Sequence, residues 1–136
     1  MSEDIEYQQL KILMECKVDT TDFNKYIKEL KQLKEKIETN QNFDKFLKIT
    51  KALSEKNRFL MFQMLLENKE MCICEFSIAL DLKQSTISHH LQKLEDSNLI
   101  EGVKSGKFIH YRIKESGIQK YLELIDGLTN LKPLIS

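Results

Sequence analysis

The sequence predicts a mainly α-helical fold carrying one β-hairpin near its C-terminal end. Three observations lead there. Apolar residues recur at three- and four-residue steps along most of the chain, the period of a helix with one buried face. One Pro and four Gly among 136 residues leave few places to break such helices. Between Leu99 and Ile113 the period shortens to two β-rich runs around Ser105-Gly106, the pattern of a hairpin.

The first helix runs from about Asp4 to Cys16, with Ile5, Ile12, Leu13 and Cys16 on its apolar side. Asp19-Thr20-Thr21-Asp22 offers several N-caps for a second helix. There Phe23, Tyr26, Ile27, Leu30, Leu33 and Ile37 form a narrow seam suited to a partner helix. The uncharged stretch Thr39-Asn40-Gln41-Asn42 marks a boundary. Residues 1–42 therefore read as a helical extension, for which dimerisation is the favoured role, and residues 43–136 as the main domain. In that domain Phe43–Leu53 is helical, and Ser54 is placed to cap a helix reaching Asn68. A short helix spans Cys72–Leu80, Asp81-Leu82-Lys83 turns the chain, and another helix covers Gln84–Asp96. The hairpin follows, then a last helix from Glu115 to Thr129 that ends before Lys132-Pro133. Two helices joined by a tight turn and followed by a hairpin make a winged helix-turn-helix with a two-stranded β wing.

Composition excludes several classes. The chain is 41% hydrophobic and 31% charged, as in soluble globular proteins. The apolar run from Phe59 to Leu66 is too short to span a membrane, and the acidic start Met1-Ser2-Glu3-Asp4 does not resemble a signal peptide. Three cysteines, an odd number, read as reduced thiols in the cytoplasm. Cationic and anionic residues balance at 21 each, so any basic face has to be local. An enzyme is disfavoured: there is no Gly-rich phosphate loop, no paired carboxylate in a predicted cleft, and no neighbouring Cys-His pair. No organic cofactor is expected.

The helix Gln84–Asp96 separates into faces. Ile87, Leu91 and Leu94 point to a core, while Gln84, Ser85, Ser88, His89 and Gln92 form the outer face beside Thr86. Amides, hydroxyls and imidazoles reach base edges and phosphates in a major groove. No acidic residue lies between Gln84 and Leu94. Lys83 precedes the helix, and the wing adds Lys104, Lys107 and Arg112. Double-stranded DNA is the partner that these groups suit. His89 and His90 are about 100° apart on a helix and cannot easily share one ion. His89 reads as a DNA contact and His90 as a partly buried packing residue.

Met71-Cys72-Ile73-Cys74-Glu75-Phe76 raises a separate question. The paired thiols can be small core hydrophobes, a reversible redox pair, or ligands for a soft ion near a helix N-terminus that favours thiolate. Cys72 and Cys74 are about 200° apart in an ideal helix, so joint binding of an ion would require a distorted first turn.

From about Phe43 to Ile113 the chain resembles the ArsR/SmtB family of metal-responsive transcriptional repressors. Leu53-Ser54-Glu55-Lys56-Asn57-Arg58, Gln84-Ser85-Thr86-Ile87-Ser88-His89-His90-Leu91 and Gly106-Lys107-Phe108-Ile109-His110-Tyr111-Arg112 carry the likeness. The resemblance implies a homodimer, built from the first and last core helices, that represses from an inverted-repeat operator. The Cys72-x-Cys74 segment is similar to that of a branch binding As(III), Sb(III), Cd(II), Pb(II) or Zn(II), with Cys16 implied as a third ligand. The competing reading is a winged-helix regulator without metal sensing, either redox-responsive or an interaction module. Lys83 departs from a common capping Ser, and Asp81 from a common turn Gly. The family's other site is not apparent, since no histidine follows Glu115 and only Glu115, Glu123 and Asp126 offer oxygen ligands.

Overall fold

A computed structural model describes residues 2–16, 19 and 21–129, and of residues 2, 3 and 129 the backbone alone. Thr20, Lys132 and Pro133, which figured as a cap and as a stop, lie outside the described residues. The chain divides into two compact units, Met1–Gln41 and Asn42–Ser136.

In the first unit α1 (Ser2–Glu15) packs against α2 (Phe23–Glu38). Asp22 supplies the cap of α2, its carboxylate accepting the Lys25 N–H at 3.0 Å. Ile12, Leu13, Cys16, Ile27 and Leu30 line an open groove of about 340 Å³ between the two helices. The later part of the α2 seam stays uncovered: Phe23, Tyr26 and Ile27 are half-buried, but Leu33 and Ile37 are 54% and 50% exposed.

The second unit begins with α3 (Gln41–Ser54) and α4 (Lys56–Asn68). Ser54 is the last residue of α3 rather than the cap of α4. That cap is Glu55, whose extended backbone and longer side chain let its carboxylate accept the Arg58 N–H at 2.8 Å. Next come β1 (Glu70–Met71), α5 (Ile73–Leu80), α6 (Gln84–Asp96), β2 (Ile100–Ser105), β3 (Phe108–Ile113) and α7 (Glu115–Thr129). The sheet has three strands in the order β1-β3-β2, all antiparallel. The predicted wing is β2 and β3; β1, two residues long, has no period by which sequence could reveal it. Ser105 pairs with Phe108, so the turn is Gly106-Lys107 and not Ser105-Gly106. Gly106 takes φ +62°, the left-handed conformation that a two-residue hairpin needs first.

One core holds this unit together. Met61 and Leu65 from α4, Phe76 from α5, and Ile87, Leu91 and Leu94 from α6 are all essentially inaccessible to water. Leu99, Ile100, Tyr111 and Leu124 close it from the sheet and α7. Burying Phe76 alone contributes roughly 1.5–3 kcal/mol. Asp81 breaks α5 from α6 in a left-handed conformation, φ 52° and ψ 43°, which Asp tolerates better than most residues. Lys83 occupies the N-cap of α6 and gives no side-chain cap.

The junction of α6 and β2 is equally constrained. Asn98 adopts φ 63°, Leu99 N–H returns to the Leu94 carbonyl at 3.1 Å, and Lys114 N–H reaches the Leu99 carbonyl at 2.9 Å. Lys114 Nζ donates to Asn98 Oδ1 at 2.7 Å. Gly117 of α7 lies directly on this turn, where an added Cβ would overlap the Asn98 carbonyl oxygen. Gly117→Ala is accordingly predicted to destabilise the domain by about 2–3 kcal/mol. Urea denaturation monitored by circular dichroism checks this; an unchanged midpoint would show that the turn yields freely.

Candidate functional site

The buried stripe of Ile87, Leu91 and Leu94 fixes the rotation of α6. Gln84, Ser85, Ser88, His89 and Gln92 are left exposed, with Thr86 half-buried at the edge. Lys83 is exposed at the start of the helix. On the wing Lys104, near the end of β2, and Lys107, in the turn, stand in solvent. Arg112 is placed differently. It lies at the far end of β3 opposite Glu101, and its Nε donates to the Glu101 carboxylate at 2.8 Å. Gln92 is also engaged, donating to Asp96 Oδ1 at 2.9 Å.

Behind this face lies a network that sequence reading did not assemble. Arg58 Nε donates to the Ala52 carbonyl at 2.7 Å, and its Nη1 lies 3.2 Å from His90 Nδ1. Glu55 Oε2 lies 3.8 Å from the same nitrogen. Sequence showed Arg58 and His90 only as separate motif positions; their meeting depends on α4 packing against α6. Burial depresses the His90 pKa below its ordinary value, helped by the Arg58 charge and by His89, and against the pull of Glu55. Neutral His90 is thus the acceptor for Arg58. At Glu55 burial acts to raise the pKa, but backbone hydrogen bonds from Arg58 and Asn57, with the His90 and Arg58 charges, leave it lowered.

The thiols flank the start of α5. Cys72 is the N-cap, in an extended conformation (φ −98°, ψ 167°) and half-buried, while Cys74 is exposed in the first turn. The separation of about 200° assumed both residues inside one helix; Cys72 lies outside it, in extended backbone, so that angle does not describe the pair. Glu75 Oε1 accepts the Cys72 N–H at 3.0 Å. That bond, and a further one from the Cys72 thiol, lower the Glu75 pKa. Gln84 Nε2 donates to Cys74 Sγ at 3.8 Å, a direct link from this segment to the first residue of α6. The donor chemistry suits a soft ion. Within either unit, no group of three or more His, Cys, Asp or Glu is gathered among the described residues. Cys16 is exposed in the first unit. No helix among the described residues is long and apolar enough to cross a membrane.

The chain is similar to known proteins in sequence and in fold. The family model for bacterial regulatory proteins of the arsR family matches residues 57–101, from the start of α4 into the wing. An HTH-type transcriptional regulator of Methanocaldococcus jannaschii is 31% identical over 88 residues, 65% of this chain and 99% of that relative. The arsenical resistance operon repressor of Escherichia coli is 37% identical over 72 residues, 53% of this chain and 62% of the repressor. This chain thus spans nearly all of the first relative and less than two thirds of the second. Among solved structures, HlyU from Vibrio cholerae aligns with a TM-score of 0.54 at 29% identity, covering 66% of this chain and 97% of HlyU.

The His90 network has a definite pH signature. Because the folded pKa lies below 6.5, the unfolded chain binds a proton just below that pH which the folded chain does not. Stability is full above about pH 6.5 and falls as pH drops toward the folded pKa. Urea unfolding between about pH 7.5 and about pH 5.5 should show this loss, and His90→Asn should reduce it. An identical pH slope in the variant would exclude His90 as its source.

Proposed function

Because the chain belongs to the ArsR family of bacterial regulatory proteins, we propose that it is a repressor acting as a homodimer on an inverted-repeat operator. In this reading a soft metal or metalloid ion held by Cys72 and Cys74 releases the DNA. Members of the family are DNA-binding transcription regulators and not enzymes. The observation that carries the reading is the outer face of α6: exposed, polar, free of acid from Gln84 to Leu94, and backed by a fully buried stripe.

Homodimerisation is supported by what α3 and α7 leave uncovered. Phe46 stacks on Tyr121 at 5.9 Å, and Thr50 Oγ1 meets the Tyr121 hydroxyl at 2.8 Å. Beside that contact Leu47 and Leu122 are 47% and 54% exposed, apolar area suited to a second copy. The uncovered seam of α2 extends the same role to residues 1–42. Two-fold symmetry would present two α6 helices to half-sites about 34 Å apart. Contacts then divide by chemistry. Gln84, Ser85, Thr86, Ser88, His89 and Gln92 face the groove, whereas Lys83, Lys104 and Lys107 neutralise phosphates. Arg112 is held by Glu101 through its Nε, which leaves its other N–H donors for DNA at the wing's flank.

For the effector, the supporting facts are two free thiols at a helix start and their link to α6. As(III), Sb(III), Cd(II), Pb(II) or Zn(II) would supply a thiophilic centre to bind them, with Cys16 as the third donor. Ion capture at Cys74 would draw the sulfur toward the ion and alter its contact with Gln84, the first residue of the DNA-reading helix. A cytoplasmic setting keeps these thiols reduced.

Two experiments test the reading. Ser88→Ala with His89→Ala should cost operator specificity. Lys104→Ala with Lys107→Ala should weaken binding to all DNA and lower the salt slope by up to about two units. An unchanged slope would take the wing out of the interface. Second, Cd(II) or As(III) should weaken operator binding by the wild type about 5- to 150-fold, a coupling of about 1–3 kcal/mol. Cys72→Ser should lose that response while still binding DNA. A reduced wild type that shows neither sulfur-to-metal charge-transfer absorption nor any change in DNA affinity would end the sensing proposal and leave the repressor proposal standing.

A further inference from the structure

A cleft between α3 and α6 has no part in the reading so far. Lys48, Lys51, Arg58 and Lys93 line it, with Ala52, Asp96 and Ser97, around about 270 Å³. Four cations stand there against one carboxylate, and that carboxylate already accepts from Gln92. Among the described residues no carboxylate pairs with Lys48, Lys51 or Lys93. A concave wall lined by one sign of charge focuses the field and concentrates counter-ions.

Arg58 gives the cleft a fixed component. Its contacts with the Ala52 carbonyl and His90 hold the guanidinium in place, yet they occupy only two of its five N–H donors. A planar guanidinium flanked by lysines is suited to phosphate oxygens. The cleft also continues the DNA-facing surface. Ser85, His89 and Lys93 step by four along one side of α6, and Lys93 lies about 12 Å along the axis from Ser85.

We propose that this cleft takes a phosphate group, and that the group belongs to the DNA backbone flanking the half-site read by α6. The proposal rests on the DNA-binding reading above and adds α3, which lies outside the helix-turn-helix and the wing, to the interface. A free oxyanion shares the required chemistry; the unbroken stripe from Ser85 to Lys93 favours the DNA source.

The test compares Lys51→Gln with Lys93→Gln against a control, Lys45→Gln with Lys120→Gln, whose lysines are exposed outside the cleft. Operator affinity of the full chain is measured across chloride concentration. The cleft variant should lose about 0.9 of salt slope per bound subunit and weaken on operator and unrelated DNA alike, with the control keeping the wild-type slope. A cleft variant with the wild-type slope, or a control that loses as much, overturns the proposal. In a second arm, inorganic phosphate is titrated into DNA-free wild type at constant ionic strength while the Lys51 and Lys93 amides are followed by NMR. Saturable shifts there, with the DNA slope unmoved, would assign the cleft to a free oxyanion and overturn the DNA source. A wild type that binds no DNA at any salt concentration would overturn the functional reading itself, an outcome distinct from a shared slope.

Discussion

The seating of α6 on the core is the constraint on which the rest depends. Ile87, Leu91 and Leu94 are buried completely against α4 and α5, and each contributes roughly 1.5–3 kcal/mol by leaving water. A rotation by one residue, about 100°, would exchange these side chains for Ser88, Gln92 and Glu95. Such a helix would bury an amide and a carboxylate without partners. The polar outer face is therefore a consequence of packing, held in one orientation by apolar area buried on the opposite side of the helix. Asp81 completes the constraint, since its left-handed conformation sets the angle at which α6 leaves α5.

The same short helix that anchors the core also carries the thiols. Phe76 is fully buried two residues after the exposed Cys74. Displacing α5 as a body would uncover Phe76, at a cost similar to or above a typical allosteric coupling. The cap is softer. Cys72 lies outside the helix, in extended backbone, held by polar contacts alone: its N–H and thiol bond the Glu75 carboxylate, and its carbonyl accepts the Glu75 and Phe76 N–H groups. A change at the thiols is therefore more readily taken up by the cap and by the Gln84 side chain than by the core.

Much of this arrangement was legible in the sequence because it follows from local periodicity. The faces of α6, the hairpin and the left-handed tolerance of Asp81 each need only a few adjacent residues. What stayed hidden depends on residues distant in the chain. The cap at Glu55 requires its carboxylate to turn back on Arg58, a choice that Ser54 next to it made ambiguous. The strand β1 exists only because β3 is beside it. Pairing of Arg112 with Glu101 follows from the hairpin register: with Gly106-Lys107 as the turn the partner of Glu101 moves by two residues, from His110 to Arg112. The geometry of Cys72 and Cys74 changed with a single residue of helix boundary.

How a chain with balanced charge recognises DNA follows from where its few special side chains go. The sequence holds two arginines, and both are engaged: Arg58 with Ala52 and His90, Arg112 with Glu101. Neither stands on the outer face of α6, so that face offers no bidentate arginine reading of guanine, and in the proposed reading the lysines serve as point charges for phosphates. In the proposed reading base identity would fall to hydroxyls, an imidazole and the Gln84 amide, and a glutamine amide pairs naturally with adenine. One N–H of that amide goes to Cys74 Sγ, which leaves its carbonyl and second N–H for a base edge. The sulfur thus sets the plane in which the amide is presented. On the proposed reading, a thiol that moved away from this contact toward another ligand would leave Gln84 free to rotate, and a base-reading amide would lose its preorganisation without any movement of the core.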